Sequence, residues 1–160
     1  MGELIKLIKS FGYAFQGLGH AVWTQRNMRI HLVAVWVAAF FGHLAHLESA
    51  EWCAVILCCM GVLSLELINT ALERLCDQIT AEVSPRIKHA KDCAAGAVLL
   101  SALGSLLVAG VLVARHYLQI AKYFRLYRWP KYTLLAGVVL GIVFVFLPAS
   151  LQSRKRERTL

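Results

Sequence analysis

Four polar side chains lie in a segment that is otherwise apolar enough to cross a membrane. Residues 64–77 read SLELINTALERLCD and follow the run WCAVILCCMGVL. On an α-helix Glu66, Asn69, Glu73 and Asp77 stand at i, i+3, i+7 and i+11, so they share a stripe roughly 80° wide along about three turns. Because a carboxylate at membrane depth costs at least about 2.5–3.5 kcal/mol, such a stripe indicates a function.

The side chains of the stripe are of the types that phosphoryl transfer requires. Lys91 and Asp92 come just before the next apolar run, so they can return to the same end of the membrane as Asp77. The set then contains carboxylates for a metal, a lysine for a phosphate and one deeper carboxylate, and positioning and charge stabilisation supply most of such catalysis. Hydrogen bonding between helices and an ion path remain open alternatives. The spacing alone predicts a membrane-embedded metal or proton site.

The elements that carry this stripe are predicted from hydropathy. The chain is 59% hydrophobic, and the runs at about 30–47, 93–114 and 132–151 reach the roughly 20 residues that span a bilayer. The run at 52–76 reaches that length only with its polar residues included. Apolar residues recur along one face of 3–19, which predicts a helix in the membrane interface. We therefore expect an all-α integral membrane protein with an N-terminal interfacial amphipathic helix, three core transmembrane helices and a fourth C-terminal one.

The basic residues predict the orientation of these helices. The net charge of +8 comes from Lys and Arg that flank the apolar spans, so membrane topology explains it better than nucleic acid does. The connection 42–52 contains no Lys or Arg, whereas 77–92 carries three, which places the N-terminus and 77–92 in the cytoplasm. With alternating spans, the basic and aromatic connector 115–131 lies outside, against this rule, and the basic tail lies inside. An interfacial helix at 115–128 is an alternative.

Two segments of the chain resemble the prokaryotic diacylglycerol kinase family, which includes undecaprenol kinases. They are ELINTALERLCD at 66–77 and AKDCAAGAVLLSA at 90–102. The resemblance extends from about residue 5 to about residue 114, and TQRNMRIHL looks more similar to the undecaprenol kinase branch. It implies a lipid kinase domain over 1–114 that transfers the γ-phosphate of ATP to a lipid hydroxyl with Mg²⁺. It also implies a homotrimer with composite sites in the bacterial inner membrane, with the active site cytoplasmic. No family function transfers to 115–160.

The favoured acceptor in this resemblance is undecaprenol, with diacylglycerol as the alternative. Where the family has a second metal-binding glutamate, this chain has Gln25, whose neutral amide suits Mg²⁺ less well than a carboxylate. Weaker metal binding, compensation by another acid such as Asp77, and a non-catalytic homologue with a degenerate metal site are all open outcomes.

The resemblance also implies individual roles. Glu66 matches the general base that takes the proton from the lipid hydroxyl, and Glu73 matches a metal ligand beside Gln25. The positions that match the ATP site are Tyr13, Gln25, Glu73, Asp77, Glu82, Ser84, Lys91 and Asp92. The positions assigned to the lipid substrate are Lys9, Asn27, Arg29, His31, Trp52, Glu66 and Asn69.

Overall fold

Five α-helices form nearly all of the part of the chain that the computed structural model describes, residues 2–79 and 84–146. This part contains no β-strand, and the predicted all-α fold is confirmed. Glu82, the end of the predicted fourth span and the basic tail lie outside the described residues. The helices are α1 (Gly2–Thr24), α2 (Arg26–Ala45), α3 (Ser49–Ile79), α4 (Pro85–Leu126) and α5 (Trp129–Phe146).

The helices α2 to α5 are each long and apolar enough to cross a membrane, as predicted. The helix α4 differs from its predicted span because it continues past residue 114, through most of the expected connector, to Leu126. No Gly or Pro occurs between 111 and 129, so nothing in the sequence breaks the helix there. Its 42 residues correspond to about 63 Å, roughly twice the thickness of the hydrocarbon core.

Tight connections join the first three helices. A single residue, Gln25, in extended conformation separates α1 from α2. His46 follows the last residue of α2 and adopts the left-handed conformation with φ 51°, and the backbone N–H of Leu47 donates to the carbonyl of Gly42 at 3.2 Å. A Cβ atom on Gly42 would come within 2.7 Å of the Trp52 indole, so a larger residue in the last turn of α2 would displace this ring. The close packing fixes α2 beside the start of α3.

The fourth span packs antiparallel against α2. Gly141 faces Val33 and Gly137 faces Trp36, while the carbonyl of Val145 accepts hydrogen bonds from the start of α2. The end of α5 therefore lies at the same end of the bundle as the α1–α2 connection. On the other side of the molecule, α3 and α4 form the most extensive helix pair. This hairpin carries most of the predicted site.

Candidate active site

A pocket of about 270 Å³ lies between α2, α3 and α4 and contains part of the predicted stripe. Glu66 and Asn69 line it from α3, with only 2% and 5% of their surface exposed. Asn27 and His31 line it from the first turns of α2. The structure therefore brings together four of the positions assigned to the lipid substrate. The lining from α4 is apolar and consists of Ala95, Val98, Leu99 and Ala102.

Two acceptor groups in this pocket lack partners within the described part of the chain. The carboxylate of Glu66 makes no hydrogen bond or ion pair there, and only its backbone carbonyl is used, by the hydroxyl of Thr70 at 2.9 Å. The buried Oδ1 of Asn69 has no donor, although its Nδ2 donates to Oε1 of Glu73 at 3.0 Å. Most buried polar atoms are paired. Unpaired acceptors side by side suit a ligand that brings a hydroxyl donor.

The charged residues of the stripe lie beyond the lining of the pocket, towards the connection between α3 and α4, and we call this region the mouth of the pocket. Lys91 at the start of α4 donates to Oδ1 of Asp77 on α3, and this pair joins the two helices. Glu73 lies one turn before Asp77, and Asp92 is exposed beside Lys91. The sequence predicted that Lys91 and Asp77 share one end of the bundle, and the structure places them in contact.

The oxygen donors at this mouth are of the kind that Mg²⁺ prefers. Glu73 and Asp77 offer carboxylates and Asn69 offers a buried, unpaired amide oxygen. Within residues 2–79 and 84–146 no three His, Cys, Asp or Glu side chains converge on one point. Mg²⁺ is commonly held by one or two carboxylates together with substrate phosphates, so the donors present fit that kind of site.

Two further predicted positions begin helices. Gln25 is the N-cap of α2 and Ser84 is the N-cap of α4, and neither side chain makes a capping hydrogen bond. Pro85 follows Ser84 in the first turn of α4, where it is preorganised for the helix. Both side chains thus stand at backbone N–H groups of a helix start, an environment that favours anions. Glu82 lies outside the described residues.

Among the predicted positions that do not line the pocket, Lys9, Tyr13 and Trp52 lie well away from it. Lys9 and Tyr13 are exposed on α1, and Tyr13 has 68% of its surface accessible. Trp52 stands 14 residues before Glu66 on α3, which is about 21 Å along the helix axis. Its indole packs against Gly42 at the opposite end of the bundle. The structure therefore separates Trp52 from the carboxylate with which the sequence grouped it.

Arg29 has a different set of contacts from the one predicted. It is 7% exposed, and its guanidinium donates to backbone carbonyls of other helices. Nη1 reaches the carbonyls of Val22 and Trp23 in α1 at 3.3 and 2.9 Å, and Nε and Nη2 reach that of Val145 in α5 at 3.3 and 3.2 Å. No local pattern around residues 24–31 reveals this role, since one partner lies 116 residues away.

A second buried carboxylate at the other end of α3 was not predicted. Glu51 is 8% exposed and accepts from Nη1 of Arg115 at 3.0 Å and from Nε2 of His116 at 3.0 Å. The backbone N–H of Glu48 also donates to it at 3.0 Å. Both partner side chains, Arg115 and His116, lie on α4 beyond the predicted third span. An acid directly before an apolar run was the available signal, but its partners depend on the tertiary structure.

A long apolar groove of about 710 Å³ adjoins the pocket. Both cavities are lined by Ile30, His31 and Ala102, so they meet at the polar end. The groove then follows α2 and α4 as far as Ala45 and Ile120. A polar pocket that opens into a membrane-depth groove suits an amphipathic molecule with one reactive polar end.

Known proteins resemble this chain over the same region. The family model for prokaryotic diacylglycerol kinase matches residues 12–113. The chain is 40% identical over 111 residues to the undecaprenol kinase of Bacillus subtilis (strain 168), covering 69% of this chain and 89% of that protein. It is 45% identical over 111 residues to a diacylglycerol kinase of Synechocystis sp., covering 67% of this chain and 62% of that protein.

A more distant relative is the diacylglycerol kinase of Escherichia coli (strain K12), 27% identical over 112 residues, which covers 70% of this chain and 92% of that protein. No solved structure matches the chain. The family model covers well over half of the chain, including the stripe on α3 and the Lys91–Asp92 pair. The chain therefore belongs to the prokaryotic diacylglycerol kinase family, and this membership makes it a lipid kinase.

Proposed function

We propose that this lipid kinase transfers the γ-phosphate of ATP to undecaprenol, at the pocket formed by α2, α3 and α4. The observation that carries the proposal is the unpaired carboxylate of Glu66 in a polar pocket that adjoins a long apolar groove. A lipid alcohol has matching parts, since its hydroxyl can meet the carboxylate while its tail stays in the groove. ATP approaches from the charged mouth.

Glu66 is the general base in this proposal. It accepts the proton of the lipid hydroxyl as that oxygen attacks the γ-phosphorus, a bond forms between them, and the bond to the β-phosphate oxygen breaks to release ADP. Base catalysis needs an acceptor within hydrogen-bond reach of the proton, and the carboxylate of Glu66 has no competing donor among the described residues. Asn69, which donates to Glu73, positions the base relative to the metal-binding acid.

Charged groups at the mouth hold the nucleotide. Glu73 and Gln25 would bind Mg²⁺, which neutralises phosphate charge when it is present. Lys91 contacts the phosphates after exchanging its present partner, Asp77. The adenine end meets Tyr13 on α1. The remaining positions proposed to contact ATP are Glu82, Ser84 and Asp92.

The length of the groove supports undecaprenol over diacylglycerol. On α4 its lining extends from Ala102 to Ile120, which is about 27 Å of helix. The hydrocarbon core of a bilayer is about 30 Å thick, so the groove is longer than one leaflet. The acyl chains of diacylglycerol occupy one leaflet, whereas a long polyprenyl chain can follow the whole groove.

Two alternatives each rest on a specific observation. The 45% identity to a relative named diacylglycerol kinase favours diacylglycerol as acceptor. The neutral amide of Gln25, where the family resemblance implies a glutamate, favours a non-catalytic homologue with a degenerate metal site. Neither alternative uses the length of the groove.

The same proposal includes an assembly and an orientation. We propose a homotrimer in the bacterial inner membrane, in which a kinase domain formed by residues 1–114 completes its sites with neighbouring protomers. The N-terminus and the α3–α4 connection face the cytoplasm, as the basic residues indicate. Residues 115–160 add the end of α4, the fourth span and a basic tail. The helix α4 leaves most of its apolar surface outside the fold of a single chain, which is compatible with either lipid or neighbouring protomers.

The test is phosphate transfer from γ-labelled ATP to undecaprenol and to diacylglycerol, side by side in detergent micelles with Mg²⁺. We expect label in undecaprenol far above that in diacylglycerol, and none with the Glu66→Gln variant. The reverse preference would identify the chain as a diacylglycerol kinase. Absence of label in both lipids, from folded and assembled protein, would support the non-catalytic homologue.

A further inference from the structure

The last described turn of α5 lies at the connection between α1 and α2. The carbonyl of Val145 near the end of α5 accepts two hydrogen bonds from Arg29, at 3.3 and 3.2 Å. The same guanidinium donates to Val22 and Trp23 in the last turn of α1. One buried side chain thus joins the ends of two helices to the first turn of a third.

This arrangement is favourable at the end of α1, where Val22 and Trp23 belong to the last turn. The last carbonyls of a helix have no partner within that helix, and a cation near them interacts well with the helix dipole. A buried guanidinium is costly unless its donors are used, and Arg29 uses Nε, Nη1 and Nη2 on carbonyls. A lysine has one nitrogen and cannot reach both helices in the same planar geometry.

The packing of α5 on α2 fixes the carbonyl that Arg29 contacts. A Cβ atom on Gly137 would come within 1.9 Å of the Trp36 ring, and one on Gly141 within 3.0 Å of Val33. These two glycines let the helices approach closely, and each lies one further turn from the contact between Arg29 and Val145. The register of α5 on α2 therefore determines whether Arg29 can contact both α1 and α5. We call these contacts of Arg29 the clamp.

The clamp is also connected to the candidate site through α1. Next to Trp23, the hydroxyl of Thr24 accepts from Nη2 of Arg74 on α3 at 3.4 Å. Arg74 adjoins Glu73, and Gln25 directly follows Thr24. A chain of contacts thus extends from α5 through Arg29 and α1 to Arg74 on α3.

We propose that α5 is a brace for the active site, with Arg29 as a positioning residue that transmits its effect to α1 and Gln25. This role rests on the proposed function, in which α1 and the connection after it contact the nucleotide. This role replaces the lipid contact predicted for Arg29. It also assigns a supporting role in the kinase to α5, which lies after residue 113, where the family match ends. Loosening α5 weakens the nucleotide site more than the lipid groove, because no residue of α5 lines the groove.

The test uses the full chain with Gly137→Leu, which blocks close packing of α5, and Arg29→Lys, which removes the shared guanidinium. Ala136→Leu is the matched control, since Ala136 is the neighbouring residue on the exposed face of α5. We expect KM for ATP to rise about tenfold in both test variants, because small misplacements of positioning groups have large kinetic effects. KM for the lipid stays within about twofold of the wild-type value, and the control behaves as wild type.

A rescue separates positioning from general destabilisation. Trp36→Ala removes the ring that the new leucine meets, so the Trp36→Ala/Gly137→Leu double variant should recover the KM for ATP. Wild-type kinetics for Gly137→Leu, equal rises of both KM values, or no recovery in the double variant would overturn the brace.

A second readout does not need kinase activity. Arg26 is exposed beside the α1–α2 connection, so trypsin can report how firmly that connection is held. Cleavage after Arg26 should become several-fold faster in Gly137→Leu and remain unchanged in Ala136→Leu. Unchanged cleavage in both would contradict the brace, even if the wild-type protein phosphorylated no lipid and the proposed function failed.

Discussion

Two glutamates on α3 differ in one respect that separates structure from chemistry. Glu66 and Glu51 are 2% and 8% exposed and stand 15 residues apart, which is about 22 Å along one helix. Glu51 is paired with Arg115 and His116, whereas Glu66 has neither an ion pair nor a side-chain hydrogen bond among the described residues. Because an unpaired buried carboxylate is costly, Glu66 is the one whose retention requires a function.

The difference originates in α4, which faces both glutamates. At the Glu51 end α4 supplies two basic side chains. At the Glu66 end its pocket lining is Ala95, Val98, Leu99 and Ala102, none of which can donate a hydrogen bond from its side chain. One helix pair thus gives a carboxylate basic partners at one end and leaves another carboxylate without a partner among the described residues at the other end.

The largest expected effect is that of Glu66→Gln. Turnover should fall at least about a hundredfold, because the amide cannot take the proton of the lipid hydroxyl. The thermal unfolding midpoint should stay the same or rise, since a neutral group replaces a buried acid that has no partner. Turnover with γ-labelled ATP and thermal unfolding in detergent measure both properties. Near-normal turnover would remove Glu66 as the base and with it the contrast between the two glutamates.

The opposite pattern is expected of Glu51→Gln. Loss of the charge leaves Arg115 and His116 without their partner, so the unfolding midpoint should fall by several degrees. Turnover per folded protein should stay within about twofold, because the site lies about 22 Å away. Glu48→Gln changes a neighbouring exposed glutamate and is the matched control. A loss of turnover without a loss of stability would show that the two ends are coupled.

A smaller kinetic effect is expected of Asn69→Leu, which nearly preserves volume but removes both amide atoms. Glu73 loses the donor at 3.0 Å, and the pocket loses its second unpaired acceptor. Turnover should fall about tenfold, less than for Glu66→Gln, because the base itself remains. Turnover equal to that of the wild type would mean that the unpaired amide oxygen has no part in the reaction.

The smallest effect is expected of Gln25→Glu, which adds a carboxylate at the end of the bundle that holds the candidate site and leaves the Glu51 end unchanged. The Mg²⁺ concentration for half-maximal rate should fall a few-fold, since hard cations favour carboxylates. A titration of rate against Mg²⁺ at fixed ATP measures it. An unchanged titration would place Gln25 outside the metal site.

The sequence predicts the Glu66 end of α3 better than the Glu51 end. The stripe from Glu66 to Asp77 is a local pattern, so helical periodicity places its members on one face without knowledge of the fold. The contacts of Glu51 and Arg29 join residues 65 and 116 positions apart, and no local pattern contains them. Hydropathy predicts the end of the third span near residue 114, because it measures apolar content only. The helix α4 itself continues to Leu126, because no helix-breaking residue follows residue 114 within it.

The position of Glu66 within α3 has a consequence for the kinetics of the proposed enzyme. Thirteen residues of helix, about 20 Å, separate this carboxylate from the end of α3 at Ile79. In the proposed function the two substrates arrive from different phases, ATP by diffusion in water and the lipid by diffusion in two dimensions within the bilayer. The relevant concentration of the acceptor lipid is then its surface density in the bilayer. Inert lipid added at a constant total amount of acceptor lowers that density and should therefore lower the rate of phosphate transfer.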